Sequence, residues 1–373
     1  MRKTSLATLG LLLCVSCEDG CSDDDDSSFV WAGENVIVHG DGRSQSEVCA
    51  GTFDALVTRI RMVEDYLGVE GGGPYRYWWY SDERWKEFDP CQSDASSACN
   101  NHLGHTHSRL LPHMHEVVHM VTRRIGEDGC PRILDEGLAE HLDDQKWRDR
   151  APSPDLTLAD LLGSDDFRGE AYIRAAHFVS YLIDWHGIDS VRRLCEEIPR
   201  FHSDRSDWER AVPKVLGMGL DELLVDYDDY DPTCTRAQAR AQLWSCAGAP
   251  DFTFIPNNPH NAHFKFEAGC DDSRATNASF GKRGDATITR LVYFPIDTWI
   301  EVRARSLGDS GSRAWFIIQQ CGRCEDDPQP QIFRTGDRTF GAVGIYRFNA
   351  GLHEVTVFFD KRDTLFFSMA RIP

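Results

Sequence analysis

The chain has 373 residues, 41% of them hydrophobic and 11% aromatic, which is enough for packed cores and long enough for two or three domains. Sixty acidic side chains against forty basic ones give a formal net charge of −20, so nothing electrostatic favours a nucleic acid or an anionic lipid surface as partner. Beyond the N-terminus no uninterrupted apolar run approaches the roughly 18 residues of a membrane-spanning helix.

Met1-Arg2-Lys3 and the short apolar run from Leu6 to Val15 read as an export signal, too brief to span a bilayer as a mature helix. Cys14-Val15-Ser16-Cys17 resembles a lipobox, in which Cys17 would be lipidated and become the first mature residue; plain secretion is the alternative. The acidic stretch that follows completes a first segment, 1–28, of signal and solvated tether. Thirteen cysteines fit export into an oxidising compartment. Cys91 with Cys99, Cys130 with Cys195, and Cys234 with Cys246 are the local pairings the order suggests, while Cys321-Gly322-Arg323-Cys324 reads as disulfide cysteines rather than a redox motif.

Asn35 to Val38 is expected as a strand, Thr52 to Leu67 as a helix with Phe53, Leu56, Val57, Ile60, Val63 and Leu67 on its apolar face, and the aromatic run Tyr75 to Tyr80 as a second strand. These belong to an α/β part, 29–98, in which an antiparallel edge strand would hold an extended peptide by main-chain hydrogen bonds. His102, His105 and His107, in a polar loop that follows, have the look of a second metal site. A loop lining a cleft is the reading preferred for them.

His115-Glu116-Val117-Val118-His119 comes next. Histidines four apart on a helix stand on one face, so both imidazoles reach one metal ion while Glu116 faces a water on it. Leu110, Met114, Val117, Val118, Val121 and Ile125 form an apolar stripe, with Pro112 in the first turn and Gly126 and Gly129 as the stop. Seventeen residues after His119 stands Glu136, within Asp135-Glu136-Gly137-Leu138-Ala139-Glu140-His141. Two histidines, one glutamate and an open position describe a catalytic zinc site rather than a structural one.

The segment Asp135 to Glu140 resembles the N-E-G-[FL]-A element of the gluzincin metallopeptidases, the clan containing thermolysin and the aminopeptidase N group. The organisation is most similar to the peptidase MA-like bacterial proteins, whose strand, helix, strand, HExxH helix and E-G-x-A-E helix can be followed from about residue 30 to about residue 230. The spacing from His119 to Glu136 is shorter than in the best-known members. The resemblance implies an α+β, thermolysin-like zincin catalytic domain, one Zn²⁺ held by His115, His119 and Glu136, and Glu116 as the general base acting on a metal-activated water. Tyr172-Ile173-Arg174-Ala175-Ala176 is similar to the Y-x-K-G-A stretch that carries the catalytic tyrosine of aminopeptidase-like members, which makes Tyr172 the candidate oxyanion donor; His177 or a histidine upstream is the alternative. Glu140, one turn beyond Glu136, would accept the free N–H of a ligand imidazole, with Asp135 the second candidate for that role; either is otherwise an acid in the first turn of its helix.

Helices are expected over Gly169 to Trp185, Asp189 to Ile198 and Gly219 to Tyr227, giving a helical zinc-binding part at 99–235. From about Ala247 the pattern alternates. Ile300, Val302 and Ala304, and again Val355 and Val357, read as half-buried strands of a C-terminal β-sandwich at 247–373. A zinc-dependent peptidase acting on peptide or protein substrates is the function that follows, an endopeptidase rather than an aminopeptidase because no G-[AM]-M-E-N element precedes His115. A catalytically inactive zinc-binding envelope protein, or an adhesin acting through its sandwich, is the alternative.

Overall fold

Strand pairing begins where alternation begins: Ser28–Ala32 (β1) lies antiparallel to Val36–Asp41 (β2), whose Val36 and Val38 are fully buried while the residues between them are not. Thr52–Leu67 (α1) turns Phe53, Leu56, Ile60, Val63 and Leu67 inward, ends at a left-handed Gly68, and returns the chain to Tyr75–Tyr80 (β3), parallel to β2. Asp82–Phe88 (α2), capped by the Ser81 hydroxyl, precedes two short strands, Ala98–Asn100 (β4) and Thr106–Ser108 (β5). The sheet order is β1-β2-β3-β5-β4, with β5 parallel to β3 and β4 antiparallel at the edge. This is a computed structural model, and it describes residues 28–230 except 72, 93–96, 102, 127–128, 144–151, 165–166 and 202, then 253–254, 263–278, 285–306, 314–321, 331–333, 342–348, 350–360, 362 and 364–372. The signal, lipobox and most of the acidic tether, Cys14, Cys17 and Cys21 included, lie outside the described residues, as do His102 and the expected Cys234–Cys246 pair.

Met114–Thr122 (α3) packs on α1, and Arg132–Leu142 (α4) packs on α3. After Leu158–Leu161 (α5) come Glu170–His186 (α6), Ile188–Glu197 (α7), Arg205–Leu216 (α8) and Leu220–Asp228 (α9). One apolar core runs through all of this, from Val36 to Tyr227. α4 and α6 make the closest helix pair. A Cβ on Gly137 would lie 2.6 Å from both the Ala175 carbonyl oxygen and Val179 Cγ2, so the glycine is what lets α4 approach α6. Burial on most sides of α6, from Ala171 to Leu182, replaces the single stripe that periodicity predicts, because α4, α5 and α7 all pack against it.

Three helices, α3, α2 and α8, also differ from the sequence reading. α3 begins at Met114, so Pro112 lies ahead of the helix and not in its first turn. The buried Tyr77 hydroxyl donates to the Leu110 carbonyl at 2.6 Å and accepts from the His113 N–H at 3.0 Å, tying residues 110–113 to the sheet. α2 and α8 carry no long apolar run and were not expected.

The C-terminal strands are Thr253–Phe254 (β6), His263–Ala268 (β7), Ala275–Asn277 (β8), Asp285–Phe294 (β9), Thr298–Ser306 (β10), Trp315–Gln320 (β11), Gln331–Phe333 (β12), Ala342–Phe348 (β13), Gly351–Asp360 (β14) and Leu365–Arg371 (β15). They form one sheet ordered β13-β10-β15-β7 and a second ordered β12-β11-β14-β9-β6, with β8 also on β9. Ile300, Val302 and Phe367 of the first sheet share a core with Ile288, Phe316 and Val357 of the second. The protein is thus α+β. β14 is no half-buried strand: His353 to Phe359 are all buried, because it is central, flanked by β11 and β9.

The two cores are joined covalently. Cys49, just ahead of α1, is bonded to Cys270, a pairing across 221 residues that sequence order does not suggest. Around it Ala50 N–H donates to the Cys270 carbonyl at 2.8 Å, Gly51 N–H to the Ala275 carbonyl at 2.9 Å, and Cys49 N–H to Asn277 Oδ1 at 2.9 Å. A Cβ on Gly51 would meet the Ser273 carbonyl oxygen at 2.3 Å, so this junction requires glycine. Cys91–Cys99 and Cys130–Cys195 are paired as the local order suggests, and Cys321 is also disulfide-bonded. Such bonding fits an extracellular or otherwise oxidising compartment. No helix among the described residues is long and apolar enough to cross a membrane.

Candidate metal centre

α3 presents His115 and His119 one turn apart, and α4 crosses it so that Glu136 meets both rings. His115 Nε2 and His119 Nε2 stand 3.1 Å apart, and Glu136 Oε2 lies 3.3 and 3.2 Å from them. Ligand atoms at about 2.0–2.1 Å around one tetrahedral zinc are separated by about 3.3 Å, so this triangle fits a single ion. Glu136 Oε2 is buried and faces both imidazole nitrogens, the placement a carboxylate ligand of a shared ion would take. Among the described residues, His115, His119 and Glu136 are the one such group of histidine, cysteine and carboxylate side chains that could hold a metal ion.

The outer nitrogens are fixed. His119 Nδ1 lies 2.8 Å from Asp135 Oδ1, which leaves its Nε2 for the centre. Asp135 is itself held by the Thr122 hydroxyl at 2.5 Å and by Arg200 Nη2 at 2.8 Å. His115 Nδ1 lies 3.4 Å from Glu140 Oε1. Asp135 and Glu140 therefore each face one ligand imidazole, Asp135 at the shorter distance.

Electrostatics follow from this packing. Burial alone would lower both histidines, yet the Glu136 and Glu140 carboxylates hold His115 well above its ordinary value, and Asp135 with Glu136 raises His119 to about 9. Burial works in the opposite direction on the acids, but His119 and His115 draw Glu136 well below the carboxylate range, and His119 with Arg200 does the same for Asp135.

Glu116 is buried beside the triangle and is no part of it. Asn100 Nδ2 donates to its Oε2 at 2.6 Å and to its main-chain carbonyl at 3.0 Å, while the Thr106 hydroxyl donates to Asn100 Oδ1 at 3.0 Å. β4 and β5 thus aim the carboxylate. Tyr172, in the first turn of α6, has its ring 6.1 Å from that of His115, and both line one cavity of about 390 Å³ with Glu116, His119 and Glu136. Burial, and next the Glu136 carboxylate, raise the Tyr172 phenol above its ordinary value, so it is a protonated donor at neutral pH. His177 is turned elsewhere, its Nδ1 3.1 Å from the Tyr227 hydroxyl.

Among the described residues, His105 and His107 of the preceding loop belong to no second group that could hold a metal ion. His107 engages the Tyr80 hydroxyl at 3.0 Å and Asn101 Nδ2 at 3.1 Å, and burial, with His105 beside it, lowers it to about 4. Asn100, Thr122, Arg123 and Arg200 were not singled out by sequence. Single polar residues far apart in the chain carry no motif; the one signal is position, since Arg123 follows His119 by four residues on the same helix face.

Comparison of the sequence with protein-family models gives no match, and comparison with curated proteins gives none.

Proposed function

We propose that this chain is a zinc-dependent peptidase of the gluzincin type, with a thermolysin-like catalytic part, exported and held at the cell envelope through Cys17 or secreted. The observation that carries the reading is the convergence of His115 Nε2, His119 Nε2 and Glu136 Oε2 within 3.3 Å of one another, with Glu116 held beside them. Held by His115, His119 and Glu136, a zinc ion would supply a Lewis acid able to polarise a carbonyl and to lower the pKa of a water to about 7. Glu116 accepts the proton of the attacking water and returns it to the leaving amine, and Asn100 keeps its carboxylate directed at that water. Tyr172 donates to the oxyanion that develops on the scissile carbonyl. Asp135, anchored by Arg200, keeps His119 in one tautomer and in place.

β4 supports cleavage within a chain. It is the edge of its sheet, and Ala98, Cys99 and Asn100 line the cavity, so an extended peptide has a strand to pair with beside Glu116. The test combines metal analysis with mass spectrometry of a peptide library. One zinc per chain, internal cleavage that a chelator abolishes, and a loss of about 10²–10⁴-fold in Glu116→Gln with zinc retained are the expected results. Undiminished turnover in Glu116→Gln would remove the glutamate from its role, and zinc binding with no cleavage of any peptide would favour an inactive binding protein.

A further inference from the structure

Beside the metal centre lies a second cavity of about 300 Å³, and the two share Arg123 and Phe201 in their walls. Its other lining residues include Arg76, Arg124 and His105, and no aspartate or glutamate is among them. That is a local excess of cations on a chain whose net charge is −20. The neighbouring arginines of the metal cleft are already engaged: Arg200 Nη2 is on Asp135 at 2.8 Å, and Arg132 Nε faces Glu136 at 3.8 Å. Arg123 differs. Its side chain forms no hydrogen bond or ion pair among the described residues, and its Nε is buried without a partner. Arg124 stacks on the Tyr75 ring, 3.6 Å from its centroid, and its buried Nη1 also lacks a partner. Guanidinium groups that line a cavity with no acid in its wall can offer their remaining N–H groups to a ligand carboxylate, which accepts two from one guanidinium at once.

We propose that this cavity is a carboxylate pocket, in which Arg123, with Arg124 and Arg76 around it, holds an acidic group of the substrate close to the scissile bond. The inference rests on the peptidase reading above. His115, His119 and Arg123 follow one another at successive turns of one helix face. One turn is about 5.4 Å and an extended peptide advances about 3.3–3.6 Å per residue, which places the acidic group within about two residues of the bond cut. Its source is an aspartate or glutamate side chain or the C-terminal carboxylate of a short peptide.

The probes are end-blocked octapeptides scanned with a single Glu or Gln, and one peptide made both as the free acid and as the amide. Cleavage by the wild-type protein is expected to favour Glu over Gln at one position by about tenfold or more in kcat/KM, the scale of one charged hydrogen bond. Arg123→Gln should bring that ratio to about 1, Arg123→Lys should keep part of it, and Arg123→Glu should favour Lys at the same position. Preference for the free acid over the amide, with no side-chain preference, would identify the chain terminus as the source. The same pairs are measured by calorimetry on zinc-loaded Glu116→Gln, which needs no turnover. Absence of cleavage with a Glu-over-Gln difference in Kd would overturn the peptidase reading and keep the pocket; equal Kd and equal kcat/KM across every pair would overturn the pocket.

Discussion

Glu116 is buried next to three side chains that could hold a metal ion, and its direction depends on an amide from another element: Asn100 Nδ2, 2.6 Å from Oε2. Removing that donor leaves a buried carboxylate short of one charged hydrogen bond, which is worth about 1.5–3 kcal/mol. Asn100→Ala is therefore expected to lower kcat by about tenfold or more without changing zinc stoichiometry, as steady-state kinetics and metal analysis on the same preparation would report. The histidines predict a pH dependence. Burial opposes protonation of His119, but Asp135 and Glu136 overcome it and raise the group to about 9, above its ordinary 6.5. In the metal-free protein its protonation stabilises the fold fully below pH 6.5, and that contribution is lost as pH rises through about 9. A zinc ion must displace the same proton, so its apparent affinity should rise about tenfold per pH unit for each proton released over that window. Chelator competition between pH 6.5 and 9 measures this, alongside the Tm of the metal-free and zinc-loaded forms. The metal-free Tm should fall across the window while the increment from zinc grows; a pH-independent zinc affinity would mean that the rings are already neutral.

The helices α3 and α4 are held at the distance that makes the ligand triangle, and α6 backs α4. Gly137 is where α4 and α6 touch, since any Cβ there would meet the Ala175 carbonyl oxygen at 2.6 Å. Gly137→Ala should lower stability by about 1–3 kcal/mol, the cost of overpacking, and weaken zinc binding because Glu136 is the adjacent residue. Thermal melts with and without zinc would show both; an unchanged Tm would mean that the helices separate freely. The sequence made α3 legible through Met114, Val117, Val118 and Val121, whose spacing survives any neighbour. It misplaced the start of α3 because the residues around Pro112 are held by Tyr77, and it read β14 as half buried because central position in a sheet leaves no trace in alternation.

At the scale of the whole molecule, the C-terminal sandwich is fastened to the start of α1 by Cys49–Cys270 and by the hydrogen bonds around it. A link closing 221 residues removes much unfolded-state freedom, and losing a native disulfide typically costs about 2–5 kcal/mol. The double substitution Cys49→Ser with Cys270→Ser is expected to lower the calorimetric Tm and to split one unfolding transition into two, as the helical and sandwich cores melt separately. A single transition at the original temperature would show that the junction does not couple them.

The group that could hold a metal ion was legible in the sequence because its three residues lie close along the chain. Four-residue spacing on a helix fixes His115 and His119 on one face by backbone geometry alone, and Glu136 follows seventeen residues later on the next helix. What only the tertiary structure decided is everything that arrives from elsewhere: Asn100 on Glu116, Asp135 rather than Glu140 closest to its imidazole, Arg200 behind Asp135, and Cys270 on Cys49. Those partners are set by how elements pack and not by any periodic pattern, so no local reading of the chain contains them.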